Sequence, residues 1–165
     1  MTYDPDVHHR RSIRLKDYDY AQTGAYFVTI CVWQRECLFG DIMDGTMVIN
    51  GLGELVLFTW NDLPNHVGNI VLNSFVLMPN HCHGIIVIDQ AKATDSTKYY
   101  GLSEIVRQFK TFSAKRINEF RNTPGIPVWQ RNYYEHVIRN EADFNRITDY
   151  IANNPQQWTE DSLHP

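Results

Sequence analysis

The sequence predicts an α+β fold: an antiparallel sheet with helices packed on it. Two observations predict it. Apolar, β-branched and aromatic runs recur at 25–33, 69–78, 81–88 and 128–139, with the composition of strands. Between them, 51–63 and 102–120 place apolar residues at helical spacing, the mark of one buried face.

Taken in order, AYFVTICVW (25–33) is the first strand. Asp44-Gly45, set between apolar runs, predicts a small hairpin over 37–49. In GLGELVLFTWNDL (51–63), Leu52, Leu55, Val56 and Trp60 form the inner stripe, and Pro64 is expected to end the helix. The runs 69–78 and 81–88 are two strands joined by a turn at Pro79-Asn80. The segment QAKATDSTKYYG is loop-like. Leu102 to Phe120 is the best helix, with Leu102, Ile105, Val106, Phe109, Phe112, Ser113 and Ile117 as its apolar side. Pro124 and Pro127 bound a connector, and VWQRNYYEHVIR (128–139) is a strand. Asn140, with Asp143 three residues on, has the pattern of an N-cap, and Pro155 stops the last helix near Asn154. The first six elements read βαββαβ, the ferredoxin-like split plan, with helices on one face, an inserted hairpin and an extra C-terminal helix.

A chain of 165 residues is one domain with a sizeable core. No run reaches the length of a membrane span, and the polar, basic first 20 residues do not read as a secretory signal. The cysteines Cys31, Cys37 and Cys82 are odd in number and lack CxxC spacing. That argues against a disulfide framework or zinc ribbon and fits a reducing cytoplasm. Cys31 and Cys82 are expected to be small core residues. The net charge of −4 does not advertise nucleic-acid binding, but an average can hide a patch.

The stretch MPNHCHGIIVI (78–88) opens a strand with His81 and His83. Strand side chains alternate, so both imidazoles share one face and Cys82 takes the other. Two imidazoles on a face can hold one metal ion, or they can be ordinary strand-end histidines. On the last helix, Tyr150 and Asn154 are four apart and share a face. If that face meets the histidines, Asn154 becomes a third ligand and Tyr150 a nucleophile beside the ion. Each residue also has a bland role. Tyr150 can be a packed helix tyrosine, and Asn154 can cap the helix. Tyr133 and Tyr134 are rival nucleophiles and His136 a rival ligand.

HCH within MPNHCHGIIVI, followed by YIANNP (150–155), resembles the histidine–hydrophobic–histidine endonuclease superfamily with a single catalytic tyrosine. RLKDYDYAQTGAYFVTICVWQRECLFG, GLSEIVRQFKTFSAKRINE and PVWQRNYYEHVIRNEADFNRITDYIANNPQQW are similar to the REP-associated tyrosine transposases, relatives of bacterial insertion-sequence transposases. The similarity spans roughly Arg11 to Trp158. It implies a transposase-like domain over 1–165, with a basic N-terminal arm (1–20) and a catalytic helix (141–155). It makes His81 and His83 the metal pair, Tyr150 the nucleophile and Asn154 the third ligand. Cys82 stands where a larger hydrophobic residue is usual, and Asn154 where insertion-sequence relatives often carry Gln.

The implied activity is metal-dependent cleavage and strand transfer of single-stranded DNA at repetitive extragenic palindromes that fold into hairpins. A phenol titrates near pH ~10 and is a weak nucleophile when protonated. A divalent ion, Mg²⁺ or Mn²⁺, orients and polarises the phosphate for in-line attack. The product is DNA joined to Tyr150 through its 5′-phosphate. The alternative is a non-catalytic module that binds single-stranded or hairpin nucleic acid on the sheet. Arg11, Arg14, Arg107, Lys110, Lys115 and Arg116 are candidate phosphate contacts, and Trp129 and Arg131 lie in a stretch suited to stacking on bases. The resemblance favours a monomer over a homodimer.

Overall fold

The computed structural model describes residues 24–89, 91 and 100–165. The strands are β1 (Gly24–Cys31), β2 (Gly40–Met43), β3 (Thr46–Ile49), β4 (Ile70–Met78), β5 (His81–Ile88) and β6 (Tyr134–Ile138). The helices are α1 (Gly51–His66), α2 (Leu102–Phe120) and α3 (Glu141–Asn153), and a 3-10 segment follows at Pro155–Glu160. With the β2–β3 hairpin set aside, the order is βαββαβ and then α3. The main sheet runs β4-β5-β1-β6 and is antiparallel throughout. This is the α+β architecture the sequence predicts.

Alternation along the strands gives the sheet two different faces. Tyr26, Val28 and Ile30 of β1, with Cys82, Ile86 and Ile88 of β5, enter the main core beneath α1 and α2. There they meet Val56, Trp60 and Leu63 of α1 and Leu102, Ile105, Val106, Phe109 and Ile117 of α2. On the opposite face, Phe27 and Ile85 join Ile147 and Ile151 of α3 in a second, smaller cluster. The two helices of the split plan therefore share one face, and α3 lies across the other.

Local chemistry sets the element ends. Asp44 and Gly45 adopt positive φ (51° and 72°), the backbone a tight hairpin needs. Asn50 caps α1 by accepting from the amides of Leu52 and Gly53, both at 3.0 Å. Asn140 caps α3 by accepting from the Asp143 amide at 2.8 Å.

Four expectations need correction. Pro64 does not end α1, which runs on to His66. A proline this close to the C-terminus removes only one bond from the ladder, and the Val67 amide still donates to Leu63 at 2.9 Å. Phe112 belongs to the exposed side of α2, stacked on His66. The last strand is interrupted: Tyr134–Ile138 pair in the ladder with β1, and pairing resumes only at the Val32–Trp129 bridge, where Gln130 N donates to Cys31 O at 2.8 Å and Trp33 N to Val128 O at 2.9 Å. At the interruption, the carbonyls of Gln130 and Asn132 accept from the Lys110 ammonium, at 2.8 and 2.9 Å. Finally, Cys31 is not in the core: it lies opposite His81 in the ladder, on the histidine face, and is only partly buried. Cys82 is buried as expected.

Candidate active site

β5 is a central strand, with β1 on one side and β4 on the other. His81 and His83 therefore start from a rigid platform. Both point to the α3 face and both are buried, at 0% and 3% exposure. Their Nε2 atoms are 3.1 Å apart. Two donors ~2.1 Å from an ion and at right angles to each other would be separated by ~3.0 Å, so the pair is spaced as neighbouring ligands of one octahedral ion.

The far nitrogens are also held. His81 Nδ1 lies 2.8 Å from Asn80 Oδ1, and His83 Nδ1 lies 2.7 Å from Thr29 Oγ1. Ligating histidines are commonly oriented in this way, through the nitrogen that does not bind the metal. Burial drives the proton affinity of both rings well below the ordinary imidazole range. For His83 the neighbouring His81 adds to the effect, whereas for His81 the Asp161 charge and Asn154 oppose it. Both rings are neutral near pH 7, the form that binds a metal.

α3 and the segment after it bring three more groups. Asn154, at the C-terminus of α3, is 2% exposed. Its Oδ1 is buried and accepts no hydrogen bond among the described residues. The amide raises the proton affinity of His81 and lowers that of Tyr150. Tyr150 is 42% exposed, with its ring 5.3 Å from His83 and 6.1 Å from Phe27. Partial burial, reinforced by the Asp161 charge, raises the phenol above its usual range.

The third group is Asp161, just beyond the Pro155–Glu160 turn. One of its oxygens lies 3.7 Å from His81 Nε2. Donor atoms of His81, His83 and Asp161 all lie within 4.8 Å of one another. Two imidazoles, one carboxylate and one unpartnered amide oxygen form a donor set that fits a divalent cation. The buried amide oxygen is the telling member, because leaving such an atom without a partner costs roughly 1–3 kcal/mol.

The remaining predicted residues are dispersed. Trp129 is buried and donates to Ser113 Oγ at 2.8 Å, so its ring is not available to stack on a base. Lys110 is tied to the two carbonyls named above, and burial pushes its ammonium down to about 8. Arg107 pairs with Glu104, and Arg116 with Thr59 and Asp62. These residues and Lys115 sit on α2, across the sheet from the histidines. Arg131 is exposed in the connector before β6, and Arg11 and Arg14 lie outside the described residues. His136 is paired with Asp143 at 2.8 Å. Tyr133 packs against the main core, while Tyr134 stays exposed beside Phe27 on the site face.

Sequence reasoning missed Thr29, Asn80 as a side chain, and Asp161. Asn80 adjoins the HCH motif and could have been suspected. Asp161 had no signal, because it reaches the histidines only when the tail folds back past Pro155.

No protein-family model matches the chain. The fold matches the structure of a REP-associated tyrosine transposase bound to a REP hairpin, with a TM-score of 0.60, 19% identity, and coverage of 90% of this chain and 74% of that one. It also matches a candidate transposase of Deinococcus radiodurans R1, with a TM-score of 0.50, 17% identity, and coverage of 86% and 97%. An uncharacterised protein of Haemophilus influenzae is 42% identical over 176 residues, covering 98% of this chain and 97% of its own. The chain belongs to the family of that Haemophilus protein. Its architecture is the transposase fold of the two solved structures. Among the described residues no helix is long and apolar enough to cross a membrane.

Proposed function

We propose that the protein is a metal-dependent, single-tyrosine endonuclease and strand transferase for single-stranded DNA beside hairpin-forming palindromic repeats. The observation that carries the reading is the unpartnered Asn154 Oδ1, buried beside two neutral imidazoles and four residues from a half-exposed phenol. In this reading His81, His83 and Asn154 hold Mg²⁺ or Mn²⁺, and Asp161 offers a fourth donor. The bound ion would supply charge withdrawal and orientation at the scissile phosphate.

The residues of the chain do the rest. The Tyr150 oxygen attacks phosphorus in line, and the bond from phosphorus to the 3′-oxygen breaks. The phenolic proton leaves through the exposed side of the ring, and the departing 3′-oxygen takes up a proton. A side-chain interaction with Asn154 favours the ionised phenol, against the effect of burial. DNA is left joined through its 5′-phosphate to Tyr150. A second 3′-hydroxyl can reverse the step, so strand transfer needs no ATP. The hairpin enters this proposal from the transposase of the same fold, which was solved with one.

The test is a denaturing-gel assay with labelled single-stranded hairpin DNA from the host's own repeats, in Mn²⁺, Mg²⁺ or EDTA, with Tyr150→Phe alongside. The expected result is a covalent adduct that needs metal and is absent from the variant. Adduct formation undiminished in Tyr150→Phe would remove the nucleophile. Tight hairpin binding with no adduct from any flanking sequence would favour the binding-module reading.

A further inference from the structure

The side chain of Asn80 makes three hydrogen bonds while 1% exposed. Its Nδ2 donates to the carbonyl of Leu163 at 2.7 Å and to the carbonyl of Arg35 at 3.3 Å. Its Oδ1 faces His81 Nδ1 at 2.8 Å. A carbonyl oxygen can only accept, so the two carbonyls must face the NH₂ group. That forces the oxygen toward His81. An amide oxygen can only accept as well, so His81 Nδ1 must carry the hydrogen. The lone pair of a neutral His81 is then confined to Nε2, the atom that points at His83.

Thr29 does not constrain His83 in this way. A hydroxyl both donates and accepts, so it suits either form of the His83 ring. Without an ion, the 3.1 Å contact between the two Nε2 atoms needs one hydrogen. Since His81 cannot supply it, His83 must.

Both carbonyls come from distant parts of the chain. Arg35 lies in the short segment after β1, where Gln34 and Arg35 have positive φ (55° and 56°). Non-glycine residues held there cost of order 1–3 kcal/mol each and persist only when their surroundings hold them. Leu163 lies in the tail, next to the turn that delivers Asp161.

We infer that Asn80 is a positioning residue: its amide, oriented by the backbone carbonyls of Arg35 and Leu163, fixes His81 as the Nδ1–H tautomer and so presents Nε2 as a ready ligand. The hydrogen-bond logic stands alone, while its use in metal binding rests on the function proposed above.

The test is histidine-selective ¹⁵N labelling and two-bond ¹H–¹⁵N spectra of the full chain, metal-free at pH 8, paired with Mn²⁺ titration. Wild-type His81 is expected as Nδ1–H and His83 as Nε2–H. In Asn80→Ala, His81 should shift toward Nε2–H and Mn²⁺ affinity should fall roughly 10–100-fold. A wild-type His81 in the Nε2–H form overturns the inference. So does an Asn80→Ala protein with unchanged tautomer and Mn²⁺ affinity. If Asn80→Ala fails to fold, the wild-type spectrum decides. A wild-type chain with Nδ1–H His81 that binds no Mn²⁺ supports the role of Asn80 and overturns the metal reading.

Discussion

Gly84 follows the HCH motif directly, and a single methyl group there should be costly. Its α-carbon faces the main core, where the Trp60 indole lies against it. A β-carbon built at Gly84 would come within 2.5 Å of Trp60 Cη2, 2.7 Å of Cζ2 and 3.2 Å of Phe75 Cδ2. Carbon atoms rest best at about 3.5–4.0 Å, so the overlap is roughly 1 Å. Trp60 has little room to retreat. It is 2% exposed, stacked on Phe75 at 4.5 Å and set edge-on to Phe109 at 5.6 Å. Overpacking of this kind costs about 1–3 kcal/mol. The gain from restricting the unfolded chain offsets only about 0.4–1 kcal/mol of that. Gly84→Ala should therefore lose about 1–2 kcal/mol in urea unfolding followed by circular dichroism. Trp60→Phe removes the two clashing atoms, so the double variant should recover about 1 kcal/mol relative to the sum of the single changes. Stability of Gly84→Ala within about 0.5 kcal/mol of wild type, or strict additivity in the cycle, would refute this account of the glycine.

Three further outcomes are expected. Thr29→Val removes the hydroxyl 2.7 Å from His83 Nδ1; divalent affinity by calorimetry should drop about 10–100-fold, with a stability loss of about 1–3 kcal/mol. Asn140→Ala removes the cap of α3 and should cost about 1 kcal/mol in chemical unfolding, whereas an unchanged midpoint would mean the cap contributes nothing. The third concerns pH. Both histidines titrate lower when folded than the ordinary 6.5, His81 at about 4 and His83 at about 3. Below pH 6.5 the unfolded chain therefore takes up protons that the native chain refuses. Stability of the metal-free protein should fall as pH drops from about 6.5 toward 4, with a limiting slope of about 1.4 kcal/mol per pH unit for each ring. In His81→Gln/His83→Gln that slope should largely vanish.

Much of this architecture is legible in the sequence, because it follows from local periodicity. Alternation along HCHGIIVI sends His81, His83 and Ile85 one way and Cys82, Gly84 and Ile86 the other, and the two clusters divide on that line. The four-residue spacing of Tyr150 and Asn154 likewise puts both on the histidine face. Tertiary effects were not legible. The strand predicted from Val128 is broken between the Val32–Trp129 bridge and Tyr134, where a lysine on a helix binds the carbonyls of Gln130 and Asn132. Trp129 reads as a surface aromatic until Ser113, sixteen residues away, is seen to accept its N–H. Asp161 arrives by a chain reversal that no local pattern encodes. Asn80 reads as a turn residue, and its side-chain role depends on carbonyls 45 and 83 residues distant.

The two-sided strand β5 also limits how this sequence can evolve. Point changes can be judged one position at a time, but changes in length cannot. Inserting or deleting one residue between Pro79 and His81 exchanges the two faces for everything beyond it. The imidazoles would move under α1 and α2, where Trp60 leaves no space even for a methyl group. Cys82, Gly84 and Ile86 would in turn face α3. Substitutions can accumulate along this segment while its length stays fixed, so a working relative should show its gaps in the loops and none inside β5.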